Sequence, residues 1–127
     1  MERSEVVEML SRYARTKSLV TVIQGEIREA LTINKEVAVY PIKRLKKANK
    51  ELSEAYSELE QIIDSLDYPH ADVIRERFMI LEPFGHLPTF KMISERLFFS
   101  TSYVKKIYAE ALNRIALRND TKMILKS

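Results

Sequence analysis

The chain has 127 residues, of which 46% are hydrophobic and 31% charged, with a net charge of +3 and no cysteine. This composition excludes a disordered protein, and the length suits one domain, or a small domain with an extension, around a modest core. Disulfides and thiolate metal sites are also excluded, and no apolar run reaches the roughly 18 to 20 residues that a membrane span needs.

Two features predict where the protein works and how it folds. Met1 is followed by a charged amphipathic stretch, without the basic start and apolar block of a signal peptide. Together with the lack of cysteine, this predicts a cytoplasmic protein with no membrane partner. Only two glycines and four prolines are present, so few residues suit β-turns, and an all-α fold is expected.

The positive charge is unevenly distributed along the chain. Residues 1–66 carry 11 Lys and Arg against 11 Asp and Glu, whereas residues 67–127 carry 10 against 7. The whole excess therefore lies in the C-terminal half. A basic half that binds nucleic acid and an ordinary solvated surface are both consistent with this charge.

The first 40 residues predict one long helix and a linker. Apolar residues recur at helical spacing over residues 2–33, and residues 16–18 are a candidate break. Residues 34–40 are expected to be extended, because Tyr40 precedes a proline that disfavours the helical conformation. Pro41 then suits the first turn of a new helix. Four apolar residues of the first helix lie seven apart: Val6, Tyr13, Val20 and Ile27.

The clearest periodicity in the sequence covers residues 41–66. Steps of three and four persist for more than three heptads, which predicts a helix packed lengthwise on another helix. The partner is either the first helix, folded back as a hairpin, or the same helix of a second chain. Asn49 either fixes the register and oligomeric state of this seam or lies at a wet end of it. The predicted oligomerisation seam consists of Ile42, Leu45, Asn49, Leu52, Tyr56, Leu59, Ile63 and Leu66.

A second unit is predicted over residues 67–127, after a hairpin or coiled-coil unit over residues 1–66. Pro69 suits the start of a helix that ends near Leu81, before Pro83. This helix would brace two others. Its predicted buried stripe consists of Val73, Ile74, Phe78 and Leu81.

Residues 89–115 predict a helix-turn-helix. Two apolar stripes of helical spacing are separated by a short corner, and Ser100 is a suitable N-cap for the second helix, predicted over residues 101–118. The exposed start of that helix carries hydroxyls, an aromatic ring and paired lysines, which suit a DNA major groove. Asn119 and Asp120 are expected to end it. The predicted DNA-binding residues are Thr101, Ser102, Tyr103, Lys105 and Lys106, flanked by Lys91, Arg96 and Arg114.

The same segment resembles region 4 of bacterial sigma factors. The resemblance rests on IxERL at 93–97, on SxSxVKK at 100–106 and on Ala111-Leu112, about a fifth of the chain. Small phage and prophage regulators of Gram-positive bacteria, of the ArpU and RinA kind, are similar in length and in their helical N-terminal half. The turn position usually held by Gly is Phe98 here, so a corner built differently from that of the family is expected.

This resemblance implies a sequence-specific transcription regulator that binds double-stranded DNA. A homo-oligomer, with a dimer favoured, would bring two helix-turn-helix units together, and RNA polymerase is a further implied partner. A phage DNA-packaging subunit of the small terminase kind is the alternative, which a ring of eight or more chains would favour. The third hypothesis is a helical adaptor that binds protein instead of DNA.

Catalysis is not expected from this sequence. His70 and His86 are isolated and lie next to proline-containing turns, so they are interpreted as surface or turn histidines. No residues have the spacing of a metal site, and the two glycines cannot form a phosphate-binding loop. The sequence therefore predicts no catalytic residue, metal or cofactor.

Overall fold

A computed structural model describes residues 1–83 and 86–126, the side chains of residues 120–126 excepted. The described residues form helices and contain no strand, which confirms the all-α prediction. No helix in these ranges is long and apolar enough to cross a membrane. The helices are α1 (Arg3–Leu10), α2 (Arg12–Ile33), α3 (Val39–Asp64), α4 (His70–Phe78), α5 (Phe90–Leu97) and α6 (Thr101–Lys126), with a 3-10 turn (Lys35–Ala38) before α3.

The predicted first helix is divided into α1 and α2 at Ser11. This position precedes the expected break at residues 16–18. Ser11 keeps nearly helical dihedral angles (φ −78°, ψ −9°), and its amide donates to Val7 O at 2.9 Å. The interruption is therefore a local bend. Thr16 lies inside α2, where its hydroxyl donates to the Arg12 carbonyl at 2.9 Å.

The expectation of an extended linker over residues 34–40 is wrong except at its first residue. Asn34 is extended (φ −166°, ψ 138°), and its side chain accepts a hydrogen bond from the Glu36 amide at 3.0 Å. This cap starts the 3-10 turn, and α3 begins directly after it at Val39. Pro41 lies in the first turn of α3, where its missing N–H leaves no hydrogen bond unmade.

Helices α2 and α3 pack against each other as a hairpin, one of the two arrangements that the seam allowed. The buried side of α3 differs from the predicted seam. Ala48 and Ala55 are buried, whereas Ile42, Asn49 and Tyr56 are exposed. Small residues let two helix backbones approach closely, and Ala48 packs with Val20 and Ile23 of α2. The remaining seam residues Leu45, Leu52, Leu59, Ile63 and Leu66 are buried or half-buried as predicted.

The main core combines residues from both ends of the chain. Helix α1 and the end of α3 pack with α4 and α6 in one cluster, so the proposed division between residues 66 and 67 falls inside this core. A separate small cluster joins α2 and α3 further along the hairpin. The main cluster contains Val6, Leu10, Leu59, Ile63, Leu66, Ala71, Ile74, Phe78, Ala111, Leu112 and Ile115.

Two predicted helix ends need correction. Helix α4 ends at Phe78, and Leu81 lies beyond it, half-buried. Helix α6 continues through Lys126 and does not stop near Arg118. The Asn119 side chain donates to the Ile115 carbonyl at 2.9 Å, a bond back to the preceding turn that is compatible with a continuing helix. The last apolar residues of the sequence, Met123, Ile124 and Leu125, have side chains outside the described residues.

Candidate nucleic-acid interface

A three-residue corner joins α5 to α6. Helix α5 starts at the N-cap Thr89, whose hydroxyl accepts from the Met92 amide at 3.1 Å. The helix ends at Leu97. The following residue, Phe98, adopts a left-handed conformation (φ 58°, ψ 37°), and the Phe99 amide donates to Ser94 O at 3.0 Å. The expectation that a bulky residue would change the corner is therefore wrong, because Phe98 adopts the conformation that Gly usually supplies.

Phe98 has no compensating burial for this backbone conformation. Its side chain is 93% exposed. A left-handed conformation costs an L-residue other than Gly or Asn about 1–2 kcal/mol. The neighbouring Phe99 is half-buried and contacts the rings of Tyr68 and Tyr103, with centroid distances of 6.4 and 5.0 Å. The corner therefore presents an aromatic surface next to the start of α6.

The start of α6 is held by its cap and by its apolar face. Ser100 Oγ accepts from the Tyr103 amide at 3.1 Å, which confirms the predicted N-cap. Val104 and Ile107 are buried with Val73 of α4 and Ile93 of α5. These contacts fix the rotation of α6 about its axis and thereby decide which side chains face solvent.

The predicted DNA-binding residues on the first two turns of α6 differ in exposure. Ser102, Lys105 and Lys106 are exposed. Tyr103 is 39% exposed and packs edge-on against Phe99. Thr101 is half-buried, and its hydroxyl donates to Ser94 Oγ at 3.2 Å. Thr101 therefore joins α6 to α5, whereas the other four side chains line the surface. Lys91, on α5, is also exposed.

Arg96 is engaged inside the chain. Its guanidinium pairs with Glu76 of α4 at 3.5 Å and with Glu82 of the following segment. The hydrogen bond with Glu82 raises the pKa of Arg96. The pairs tie α5 to α4 and offset the positive charge at this position. Sequence spacing could not reveal them, because the partners are 20 and 14 residues away.

Arg114 belongs to a polar cluster around the buried His70 that the sequence did not predict. Its Nη1 lies 3.3 Å from Nδ1 of His70, and Nε2 of the same imidazole lies 2.8 Å from Oε2 of Glu110. Because a guanidinium can only donate, Nδ1 accepts and Nε2–H donates to the carboxylate. His70 is only 7% exposed, so its interpretation as a surface or turn histidine is wrong; His86 is exposed, as expected.

The hydrogen bond from His70 lowers the pKa of Glu110. Glu110 and Arg114 are four residues apart on α6, so their side chains meet on one side of the helix. In the sequence, this spacing of four residues was the feature that could have indicated that Glu110 and Arg114 lie together. Their partner on α4, His70, could not be inferred, since 40 residues separate it from Glu110.

Arg77 braces the segment that leads into α5. Its guanidinium carbon lies 4.7 Å above the Phe90 ring, and its Nη1 donates to the Pro88 carbonyl. The Phe90 ring also contacts Tyr108 edge-on, at a centroid distance of 4.9 Å. Burial raises the pKa of Tyr108. These contacts fix the approach of α5 to α6 although the preceding loop is long.

The resulting surface can bind an anion through side chains and backbone together. Exposed lysines and hydroxyls lie at the N-terminal end of a helix, where the helix dipole also favours negative charge. Arg96 forms ion pairs and Arg114 forms a hydrogen bond within the chain. Most of the positive charge available to a ligand at this surface therefore comes from the exposed Lys91, Lys105 and Lys106. No family model, curated protein or solved structure matches this chain.

Proposed function

We propose that the chain is a cytoplasmic, sequence-specific DNA-binding regulator of transcription, of the phage or prophage kind that its sequence resembles. One observation carries the proposal. The left-handed corner at Phe98 and the Ser100 cap hold the first two turns of α6 with Ser102, Lys105 and Lys106 exposed. A helix start of this composition suits the major groove of double-stranded DNA.

The exposed side chains divide into two roles. Ser102 and Tyr103 lie in the first turn of α6 and would approach base edges, as the N-terminal residues of a recognition helix do. Lys105 and Lys106, one turn further, would contact phosphates or a guanine, and Lys91 would hold the backbone from α5. Thr101 would position α6 on α5 and would not contact DNA itself, because its hydroxyl donates a hydrogen bond to Ser94 Oγ.

The two arginines are proposed as lesser contacts than the lysines. Arg96 is shared with Glu76 and Glu82, and Arg114 contacts His70. Intrinsic affinity would therefore be modest, and two linked units would raise it through the effective concentration of the second. RNA polymerase remains a proposed partner on the ground of the resemblance alone.

The proposal is tested by a salt titration of binding to labelled DNA fragments from the neighbourhood of the gene. Wild type is compared with the Lys105→Glu, Lys106→Glu double variant. The control is Arg28→Glu, Lys35→Glu, which makes the same change in net charge at exposed positions on the far end of the hairpin. We expect wild type and control to select one fragment, and the α6 variant to lose that selection.

The salt dependence separates phosphate contacts from other losses. Each phosphate contact removed should reduce the slope of log affinity against log salt by about 0.9. An α6 variant that keeps wild-type affinity and slope, or a wild type without affinity for any fragment, would rule out the proposed interface.

An adaptor that binds protein is the second candidate, and the aromatic corner favours it. Phe98 is 93% exposed and Tyr68 is 71% exposed. Large aromatic side chains on a surface are frequent anchors in protein–protein contacts. If this function is correct, Phe98→Ala abolishes capture of the partner, whereas the lysine reversals leave it unchanged.

A further inference from the structure

The charges of α3 are separated into two blocks. Residues 43–50 contain five Lys and Arg and no acidic residue, and residues 51–64 contain five Asp and Glu and no basic residue. Like charges three and four residues apart repel on a helix. The order also opposes the helix dipole, which favours acidic residues near the N-terminus and basic residues near the C-terminus. The arrangement therefore costs stability within a single chain.

Both blocks reach the same side of α3. Lys43, Lys47 and Lys50 recur at helical spacing, and all are exposed. Among the described residues these lysines make no ion pair. The same spacing continues through Glu51, Glu54 and Glu58. Arg12 lies 3.7 Å from Glu54 and 2.9 Å from Glu58, but a carboxylate can accept from more than one cation.

An exposed tyrosine and a groove lie at opposite ends of this side. Tyr40, in the first turn of α3, is 80% exposed. Near the other end of α3 is a groove of about 610 Å³, whose walls combine apolar and polar side chains from α1, α3 and α6. They include Met9, Gln61, Ile62, Ile115 and Leu117.

We propose that a second copy of the chain docks antiparallel on this side of α3, with the two-fold axis between Lys50 and Glu51. In this register Lys43 faces Glu58 of the second copy and Lys47 faces its Glu54. Tyr40 lies level with Gln61 of the second copy and enters its groove. Because the interface is isologous, each of these contacts occurs twice.

The antiparallel arrangement offsets both costs of the separated charges. Each basic block lies against an acidic block, and the basic N-terminal half of one helix lies beside the negative C-terminal half of the other. A parallel pair would place lysines against lysines and carboxylates against carboxylates. The charge pattern therefore selects one direction of packing, and the tyrosine and groove supply the apolar contact.

The first test measures the mass of the full chain by light scattering over a range of concentrations. We expect a dimer whose dissociation constant rises with salt, because exposed ion pairs are screened. Tyr40→Ala should weaken the dimer about tenfold or more, as loss of a buried tyrosine anchor does. The matched control is Ile33→Ala, an apolar residue 76% exposed that lies close to Tyr40 along the chain but outside the proposed interface.

A charge exchange tests the register. Lys47→Glu alone and Glu54→Lys alone should each weaken the dimer, because each creates two like-charged pairs across the two-fold axis. Both substitutions in one chain should restore most of the affinity. Circular dichroism of each variant monitors whether its monomer keeps the helical fold.

The absence of cysteine allows a direct test of direction. Chains with Lys43→Cys and chains with Glu58→Cys should form a disulfide under mild oxidation only when mixed. In the antiparallel register two copies of residue 43 are about 22 Å apart along the helix, far beyond disulfide reach. Crosslinking of either variant with itself would indicate a parallel pair.

Several outcomes would overturn the proposed interface. These are a monomer at all concentrations, a dimer that tolerates Tyr40→Ala and both single charge reversals, a parallel crosslink, or a ring of eight or more chains. The ring would favour the DNA-packaging function instead. None of these measurements contains DNA, so their result is independent of the proposed recognition by α6.

Discussion

Nε2 of His70 lies 2.8 Å from Oε2 of Glu110 and joins the start of α4 to the middle of α6. The imidazole is buried, whereas the carboxylate is partly exposed. Arg114 contacts the other imidazole nitrogen, so all three side chains depend on one another for hydrogen bonds. The cluster lies one turn after Lys106 along α6 and links that helix to α4.

The lowered pKa of Glu110 predicts a contribution to stability that depends on pH. Its usual value is 4.5, and the hydrogen bond from His70 lowers it in the folded chain. The ionised carboxylate therefore stabilises the fold above about pH 4.5, and this contribution is lost as the pH falls through the lowered value. We expect Glu110→Gln to be less stable than wild type above that pH, with the two converging in acid.

Urea unfolding between pH 3 and 6, followed by circular dichroism, measures this difference. Glu95→Gln is the control, because Glu95 is exposed on α5. Its stability relative to wild type should change little over the same range. A Glu110→Gln difference that persists undiminished at pH 3 would contradict the prediction.

Phe98 predicts a substitution that stabilises the fold. Its left-handed backbone is unfavourable for Phe, and its exposed ring contributes no burial. Asn adopts this conformation more readily, so Phe98→Asn should raise the free energy of unfolding by roughly 0.5–1 kcal/mol. Phe99→Asn should lower it, since that ring packs on Tyr68 and Tyr103. Thermal and urea unfolding of the two variants would reveal opposite signs, and a loss of stability in Phe98→Asn would disprove the account of the corner.

The two N-caps predict equal and local losses. Thr89 and Ser100 each accept a hydrogen bond from a backbone amide in the first turn of their helix. Alanine at either position should cost about 1 kcal/mol of unfolding free energy. Ser102→Ala, at an exposed position, should cost much less and serves as the control. If Ser102→Ala proves as costly as Ser100→Ala in urea unfolding, the cap assignment is incorrect.

The side of α3 that is buried predicts different effects on stability for substitutions at two adjacent residues. Ala48 is 4% exposed against α2, so Ala48→Leu should overfill the hairpin and cost about 1–3 kcal/mol. Asn49 is exposed, and Asn49→Leu should change stability by less than about 0.5 kcal/mol. Unfolding measurements on both variants would also test the predicted heptad seam. In that seam Asn49 is buried and Ala48 is not, so Asn49→Leu would change the stability more than Ala48→Leu.

Local patterns in the sequence were sufficient to predict much of the fold and the exposure of several residues of the candidate site. The periodicity of apolar residues located most of the helices, and Ser100 was recognised as a cap. The exposed positions of Ser102, Lys105 and Lys106 followed from the apolar face of the same helix. Such features depend on residues within one or two turns, so the chain encodes them locally.

The features that the sequence did not predict depend on contacts between residues that are far apart in the chain. Ile42, Asn49 and Tyr56 fit the heptad rule as well as their neighbours, but Ala48 and Ala55 are buried instead, and Ala48 packs against α2. Nothing in the sequence indicated that Arg96 is paired, because its partner Glu76 comes from α4. The burial of His70 also depends on another helix, since Glu110 and Arg114 of α6 form hydrogen bonds with its imidazole. By itself the sequence determined where most of the helices lie, but only the tertiary structure decided which face of each is buried and which charges are paired, because both depend on the close packing of several helices at once.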